Sequence, residues 1–187
     1  PGLILALEDE EGRVRDYAMV AVGKLGEQAG AAIPALIVCL KKRRLTEDNK
    51  AAVALGKMGD QAVPALVKTL TEKAWLLRLN AVQALARIAE GGGSPAAMSA
   101  LISALKDKDA NVRYNARKAL AGLAKKNAAK VGDLKAALKN QDSGLRLNAV
   151  VALGAITGRA TAADARAAVS ALVGALGDAN KWVRRYA

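Results

Sequence analysis

An acidic residue followed six positions later by an arginine recurs along this chain and is its most regular arrangement of charged side chains. The pair occurs at Asp9 and Arg15 and again at Asp178 and Arg184. A carboxylate and a guanidinium form hydrogen-bonded ion pairs, which suit structural or recognition roles. Exposed pairs contribute only about 0–1 kcal/mol each, so we expect them to set the register of the fold more than its stability.

The composition leaves few routes to catalysis. The 187 residues include no His, which removes His-based metal sites, Ser–His triads and imidazole acid–base chemistry. The single cysteine, Cys39, lies in an apolar run without a His to activate it, which favours a buried packing role over a nucleophile. We therefore expect no catalytic residue, no metal, no cofactor and no enzyme activity.

The charged pair belongs to a longer repeat, Leu-x-x-x-Leu-x-acid, then five residues, then Arg-x-x-Ala. Two leucines four apart form one apolar stripe of a helix, and the Ala-rich segment after the Arg forms a second helix. With 52% hydrophobic residues but only 3% aromatic, the core must consist of closely packed helices. The repeated alanine marks six copies, at Ala18, Ala51, Ala81, Ala116, Ala149 and Ala187.

Helix-boundary residues fall at consistent places in these copies. Proline is tolerated at a helix start, Asp and Asn cap helix N-termini, and glycine suits helix C-termini. The proposed starts of first helices are at Pro1, Pro34 and Pro64. The proposed caps of second helices are Asp109, Asp142 and Asn180, and the proposed helix ends are Gly26, Gly59, Gly91 and Gly158.

Several segments resemble HEAT repeats, particularly the subtype found in phycobilisome-lyase-like proteins. These are LKDKDANVR at 105–113 followed by Ala119 and Leu120, ALGKMG at 54–59 and VAVGKLG at 20–26. The resemblance spans nearly the whole chain. It implies a right-handed α-solenoid of about six two-helix repeats, forming one domain over 1–187.

In the family that this chain resembles, the acid and the Arg form a ladder that links successive repeats. The acid column reads Asp9, Lys42, Glu72, Asp107, Asn140 and Asp178, and the Arg column reads Arg15, Asp48, Arg78, Arg113, Arg146 and Arg184. The second repeat is therefore inverted. If the columns stack, Lys42 lies between two acids and Asp48 between two arginines, so the exchange is compensated.

The resemblance also implies that the second helices line a concave face, a surface that solenoids commonly use for binding. Amide, aromatic and basic side chains on those helices form a candidate groove, since Tyr and Arg are favoured contact anchors. Its members are Tyr17, Lys24, Lys50, Lys57, Asn80, Gln83, Arg87, Tyr114, Asn115, Lys118 and Asn148. The alternative is that the Asn side chains hydrogen-bond neighbouring helices and the Tyr rings pack half-buried.

The net charge of +12 is concentrated in the second half. Residues 1–94 hold 13 Lys/Arg and 11 Asp/Glu, a net +2, whereas residues 95–187 hold 16 and 6, a net +10. Such a surface suits an acidic protein or nucleic acid, while solvated Lys is the alternative. Two basic stretches stand out: the 41–44 run, and the looser set Lys125, Lys126, Lys130, Lys135 and Lys139.

The functional expectation is a non-catalytic scaffold that binds a protein partner, which could be acidic. The first alternative is a nucleic-acid backbone binder, and the second is a bilin-lyase-like or chaperone-like accessory protein. No apolar stretch reaches transmembrane length and no signal peptide is visible, so we expect a soluble, cytoplasmic protein without membrane contact. Neither end resembles a polar cap, which indicates a piece of a longer array or self-association through the ends.

Overall fold

The computed structural model describes residues 2–42, 49–92, 94–123, 129–141, 143–157 and 161–187. Within these ranges the chain is helical, with twelve α-helices and no strand, as predicted. It divides into two compact units, Pro1–Ala97 and Met98–Ala187. The expectation of one domain over 1–187 stays a prediction.

Unit 1 contains three pairs of consecutive helices. The odd-numbered member of each pair is called the first helix and the even-numbered member the second. They are α1 (Gly2–Glu8), α2 (Gly12–Leu25), α3 (Ile33–Lys42), α4 (Lys50–Lys57), α5 (Val63–Thr69) and α6 (Trp75–Gly92). The second helices pack side by side, α2 on α4 and α4 on α6, while α1, α3 and α5 form the other layer. Short 3₁₀ turns at Gly26–Ala32 and Gly59–Ala62 connect successive pairs.

Unit 2 contains most of α7 and the helices that follow it, in the same arrangement. Its helices are α7 (Pro95–Ala104), α8 (Ala110–Leu123), α9 (Ala129–Ala137), α10 (Ser143–Thr157), α11 (Ala162–Ala175) and α12 (Lys181–Tyr186). The second helix α10 packs between α8 and α12, and the first helices α9 and α11 contact each other and α10. The same two-layer packing is therefore present in each unit.

The repeated alanine lies in the core between the helices. All five copies from Ala18 to Ala149 are buried, as small side chains in closely packed helices are expected to be. The repeated leucines fill the space between layers, as Leu36, Leu66, Leu101 and Leu134 do. Cys39 is also buried, and its Sγ donates to the carbonyl of Leu7 at 3.3 Å.

The helix boundaries follow local chemistry with one exception. Pro34 and Pro64 stand in the first turns of α3 and α5, and Asn180 caps α12 by accepting from two backbone N–H groups. Gly26 and Gly59 have positive φ values of 56° and 63°, which side chains with a Cβ rarely adopt.

The exception is Gly91, which does not form the left-handed cap predicted there, although α6 ends one residue later, at Gly92. The helix α6 continues to Gly92, and among the described residues only Gly26 and Gly59 have positive φ. Glycine tolerates a helical interior at a cost of about 1 kcal/mol, so its presence does not by itself end a helix. The predicted sites at Pro1, Asp142 and Gly158 lie outside the described residues.

Candidate functional site

The repeated arginine closes the turn between the two helices of its own pair. In each copy one guanidinium nitrogen, Nη1, donates to the carbonyls six and five residues earlier, at 2.6 to 2.9 Å. These carbonyls belong to the turn that follows the first helix, where the backbone needs hydrogen-bond partners from outside the helices, and the arginine supplies the donor. The residues that do this are Arg15, Arg78, Arg113, Arg146 and Arg184.

The repeated aspartate shapes the same turn from its other side. The Oδ1 atoms of Asp9, Asp107 and Asp178 each accept from the backbone N–H two residues later, at 2.8 Å. This is the turn-forming hydrogen bond that Asp side chains favour. The spacing of six therefore reflects two side chains that stabilise one turn, in addition to any link between repeats.

One link between successive pairs is present in unit 2. Arg146 Nε and Nη2 donate to Asp178 Oδ2 and Oδ1 at 2.7 and 3.0 Å, a two-point ion pair that is largely buried. The hydrogen bond from Arg146 lowers the pKa of Asp178, and the N–H of Asn180 acts in the same direction against the effect of burial.

In unit 1 the acid of the third repeat, Glu72, pairs with a lysine, whereas Asp178 in unit 2 pairs with an arginine. Glu72 forms an exposed ion pair with Lys41, at 3.1 Å, on the last turn of α3. The proposed inversion concerns the side chains of Lys42 and Asp48, which lie outside the described residues. A continuous ladder through all six repeats therefore stays a prediction.

The predicted groove residues have unequal access to solvent. Tyr17 is 76% exposed and Tyr114 56%, and the side chains of Lys24, Lys57, Arg87 and Lys118 are also exposed. Gln83 is half-buried. The side chain of Asn148 lies outside the described set.

Asn80 corrects the groove prediction. It is only 2% exposed, and its Nδ2 donates at 3.3 Å to the carbonyl of Leu40 at the end of α3. The position two residues after the Arg therefore faces the preceding helix pair in α6. Asn115 is half-buried and donates to Asn111 of its own helix at 2.9 Å. The alternative interpretation, in which Asn side chains hydrogen-bond helices, fits both residues better than a groove.

Lys50 is likewise engaged within the protein. Its Nζ lies 2.6 Å from Asp16 Oδ2, joining the start of α4 to α2 in a half-buried ion pair. Asn49, which precedes it, is buried and caps α4 by accepting from Ala52 N–H. The beginning of α4 is therefore occupied by structural contacts, and the open positions lie further along the helix.

Three cations form what we call the basic row: Lys24 on α2, Lys57 on α4 and Arg87 on α6. Glycines of the preceding second helix determine where the side chains of Lys57 and Arg87 run. A Cβ placed on Gly23 would be 3.8 Å from Lys57 Cδ, and one placed on Gly56 would be 2.6 Å from Arg87 Cβ. The side chain of each later cation thus runs beside a glycine of the preceding second helix.

Unit 2 carries exposed aromatic and basic groups of its own. On α8, burial and the charge of Arg113 lower the pKa of Arg117, and the nearby Tyr114 opposes this shift. On α12, Trp182 is 46% exposed, with Lys181 Nζ and the Arg185 guanidinium 5.4 and 5.7 Å from its ring centre. Sequence reasoning missed this cluster, although the spacing Lys-Trp-x-x-Arg places all three on adjacent faces of a helix.

The described ranges contain no group of three or more Cys, Asp or Glu side chains arranged to hold a metal ion. No helix in the same ranges is both long and apolar enough to cross a membrane. The described second helices carry exposed cations and exposed aromatic rings.

Comparisons with known proteins agree with the helical repeats. The model of the family described as HEAT repeats matches residues 1–86, 48–121 and 98–187. Among curated proteins, none matches this sequence.

Three solved structures illustrate the likeness. The complex of CpcE and CpcF of phycocyanin lyase from Nostoc sp. PCC7120 is 27% identical with a TM-score of 0.51, over 83% of this chain and 95% of that one. Kap121p bound to Pho4p is 15% identical with a TM-score of 0.55, and Kap95p, in a structure with RanGDP, is 13% identical with 0.54. Each alignment covers 98% of this chain, but only 24% of Kap121p and 29% of Kap95p.

The family match spans the chain, and the structural neighbours have the fold class that the repeat predicted, an all-α solenoid. The likeness to CpcE and CpcF accords with the lyase-like subtype. This chain belongs to the HEAT-repeat family.

Proposed function

We propose that this chain is a non-catalytic scaffold that binds a protein partner on the exposed face of its second helices. The observation that carries the proposal is the basic row, three exposed cations without an ion-pair partner in the described residues. Charges that stabilise the fold are paired, as Lys50 and Arg146 are. Unpaired cations at equivalent positions of successive helices are available to an incoming partner.

The exposed tyrosines support the same proposal. Tyr17 in unit 1 and Tyr114 in unit 2 present large amphipathic rings on second helices. Such rings dominate the energetics of protein interfaces because they bury much area at a low entropic cost. The CpcE–CpcF structure, at 27% identity, is itself a complex of two proteins, which gives further support.

The test is a pull-down with the whole chain, followed by affinity measurement on the purified partner. We expect the Tyr17→Ala and Tyr114→Ala variants to weaken binding, by about tenfold where the ring is a binding hot spot. Val67→Ala is the matched control, because Val67 is an exposed apolar residue on the first helix α5. If the control variant lost binding, or if neither tyrosine variant weakened it, the second helices would not be the binding surface.

A second candidate function is binding to a nucleic-acid backbone. The net charge of +10 over residues 95–187 favours it, as does Trp182 on α12, whose ring centre lies 5.4 Å from Lys181 Nζ and 5.7 Å from the Arg185 guanidinium. Phosphate binding weakens steeply between about 50 and 200 mM salt. A mobility-shift assay at low salt distinguishes this candidate, and the absence of a shift would exclude it.

A third candidate is a lyase-like accessory role, favoured by the likeness to CpcE and CpcF. No described residue can be assigned to bilin chemistry. The candidate is tested by incubating the chain with a bilin and an apo-phycocyanin subunit and measuring covalent attachment by absorbance after denaturation. Our proposal expects no attachment by this chain alone.

A further inference from the structure

The basic row has a feature that helix electrostatics do not explain. Cations are favoured in the last turn of a helix, where they interact with its carbonyl end. Lys24 and Lys57 occupy such positions in α2 and α4. Arg87 does not, because α6 continues five residues further, to Gly92. The cation Arg87 therefore occupies the position equivalent to Lys24 and Lys57 although it does not lie at the carbonyl end of its helix.

Packing against glycine gives the row a defined register. The aliphatic part of Lys57 runs beside Gly23, and that of Arg87 runs beside Gly56. A long side chain that rests its aliphatic part on a neighbouring surface still keeps its charged end in water. Two successive cations therefore extend across the preceding second helix in the same way, which orders the positive charges along unit 1.

No acid of the same unit forms an ion pair with the row within the described residues. Asp16 is bound by Lys50 at 2.6 Å and Glu72 by Lys41 at 3.1 Å. Glu27, Asp60 and Glu90 each follow a cation of the row by three residues, and none makes an ion pair with it within the described residues. Lys68 and Lys73 of the same unit are also exposed without an ion pair within the described residues, so the shared register of the three row positions on successive second helices is what distinguishes the row.

Helix spacing determines which ligand fits the row. Packed helices lie about 8–10 Å apart, so neighbouring cations of the row are separated by roughly that distance. A polyproline II peptide has three residues per turn and rises about 3.1 Å per residue, which brings every third side chain to one face at about 9 Å intervals. We propose that the basic row binds an extended acidic peptide with a carboxylate at every third residue. This inference rests on the proposed function.

Nucleic acid fits the row less well. Single strands bind to proteins through aromatic platforms that stack on bases, in addition to a basic groove. No aromatic residue lies within one helical turn of Lys24, Lys57 or Arg87 in the sequence. A peptide carboxylate requires only the cation and supplies the acceptor geometry that Lys and Arg both satisfy.

The test is fluorescence anisotropy of the whole chain with labelled peptides at about 50 mM salt. The probe has the sequence Glu-Pro-Pro-Glu-Pro-Pro-Glu, and the matched probe has the same composition with its three Glu residues adjacent. We expect the spaced peptide to bind more tightly. Each of Lys24→Gln, Lys57→Gln and Arg87→Gln should weaken it by about 1.4- to 5-fold, the range for one exposed ion pair.

A charge-reversal experiment separates the row from general electrostatics. The triple variant Lys24→Glu, Lys57→Glu and Arg87→Glu should abolish binding of the spaced peptide. The control variant Lys68→Glu, Lys73→Glu and Lys106→Glu makes the same change in net charge at exposed positions off the row and should retain binding. Circular dichroism and melting temperatures verify that both variants fold.

Three results would overturn the inference: equal affinity for the two peptides, equal loss in both triple variants, or displacement of the peptide by oligo-thymidine at equimolar concentration. These results leave the proposed function intact if a protein partner still binds and still depends on Tyr17 or Tyr114. If partner binding does not depend on the second helices either, the proposed function fails as well.

Discussion

In five of the six repeats an arginine connects backbone and side-chain chemistry at the turn between helices. Arg146 shows the full arrangement, since Nη1 binds two turn carbonyls while Nε and Nη2 bind Asp178 of the next pair. The planar guanidinium can make these contacts at once because its donors point in fixed, different directions. A lysine has one compact ammonium group and cannot reproduce the arrangement.

Asp178→Asn tests the ion pair while preserving the turn. The amide oxygen can still accept from Asn180 N–H, but the charge opposite Arg146 is lost. We expect a loss of about 1.5–3 kcal/mol in the free energy of unfolding at neutral pH, typical of a hydrogen bond to a charged group. Asp60→Asn is the control, because Asp60 is exposed and has no ion pair in the described residues.

The pH dependence of that difference follows from the lowered pKa of Asp178. A carboxyl whose pKa is lower in the folded state stabilises the protein above its unfolded pKa, about 3.9 for Asp. The contribution is lost as the pH falls through the folded value. The wild-type advantage over Asp178→Asn should therefore be constant above about pH 4 and shrink below it. Urea unfolding at several pH values measures this, and a constant difference down to strong acid would contradict it.

At the scale of helices, glycine and alanine control how closely the second helices approach. A Cβ on Gly23 would lie 3.2 Å from Ala54 Cα, so α2 and α4 are already in tight contact. The same small residues that permit this approach create the positions over which the cations of the basic row extend. Packing and the candidate site therefore depend on the same contacts.

Gly56→Ala is expected to destabilise unit 1 although alanine favours helix. The new methyl group would stand 2.6 Å from Arg87 Cβ, an atom too close to the backbone to move without shifting α6. Overpacking of this kind costs about 1–3 kcal/mol, against a gain of up to about 1 kcal/mol in helix propensity. The melting temperature should fall.

Gly154→Ala provides the matched comparison, because nothing lies within 4 Å of the added Cβ in α10. There the gain in helix propensity should act alone and raise the melting temperature slightly. A rise for both variants would show that α4 and α6 are not tightly packed at Gly56.

The inverted repeat gives a second prediction at this scale. In the second repeat Lys42 stands in the acid column and Asp48 in the Arg column. If these columns stack, Lys42→Asp alone places an acid between Asp9 and Glu72. Adding Asp48→Arg restores the pattern of the other repeats, so the double variant should be more stable than the single one. Thermal melting compares them, and equal melting temperatures would contradict the stacking.

At the scale of the whole chain, charge and exposed apolar surface are unevenly distributed. Residues 95–187 carry most of the positive charge. On α11, Val169, Val173 and Leu176 are exposed at intervals of four and three residues, which places them on one face. In the repeat pattern, Leu176 corresponds to Leu40 and Leu105, which are buried, whereas Leu176 itself is 53% exposed.

Self-association through this face is the corresponding prediction. The exposed acids Glu8, Asp9, Glu10 and Glu11 lie at the end of α1 and in the turn after it, and the exposed bases Lys181, Arg184 and Arg185 lie on α12. Opposite charges favour head-to-tail contact between copies. We expect the mass in sedimentation equilibrium to rise with protein concentration, and Val173→Glu to suppress the rise while Val67→Glu does not. A strict monomer at high concentration would exclude this contact.

Much of the fold was predictable because its signals are local. The spacing of Leu and Ala gave the helix pairs, and Pro34, Pro64, Gly26 and Gly59 marked boundaries through the backbone preferences of those residues. Gly91 shows the limit, since glycine permits a helix end but does not enforce one.

The repeat, its helix pairs, the buried alanines and the likeness to HEAT repeats were all determined by the sequence alone, because periodicity and capping act within one or two turns of chain. Tertiary structure decided which polar residues are available. Asn80 is buried against α3, Lys50 is bound to Asp16, and Lys57 and Arg87 lie across glycines of the preceding helices. These outcomes depend on the distance and rotation between helices about thirty residues apart, which no local pattern encodes.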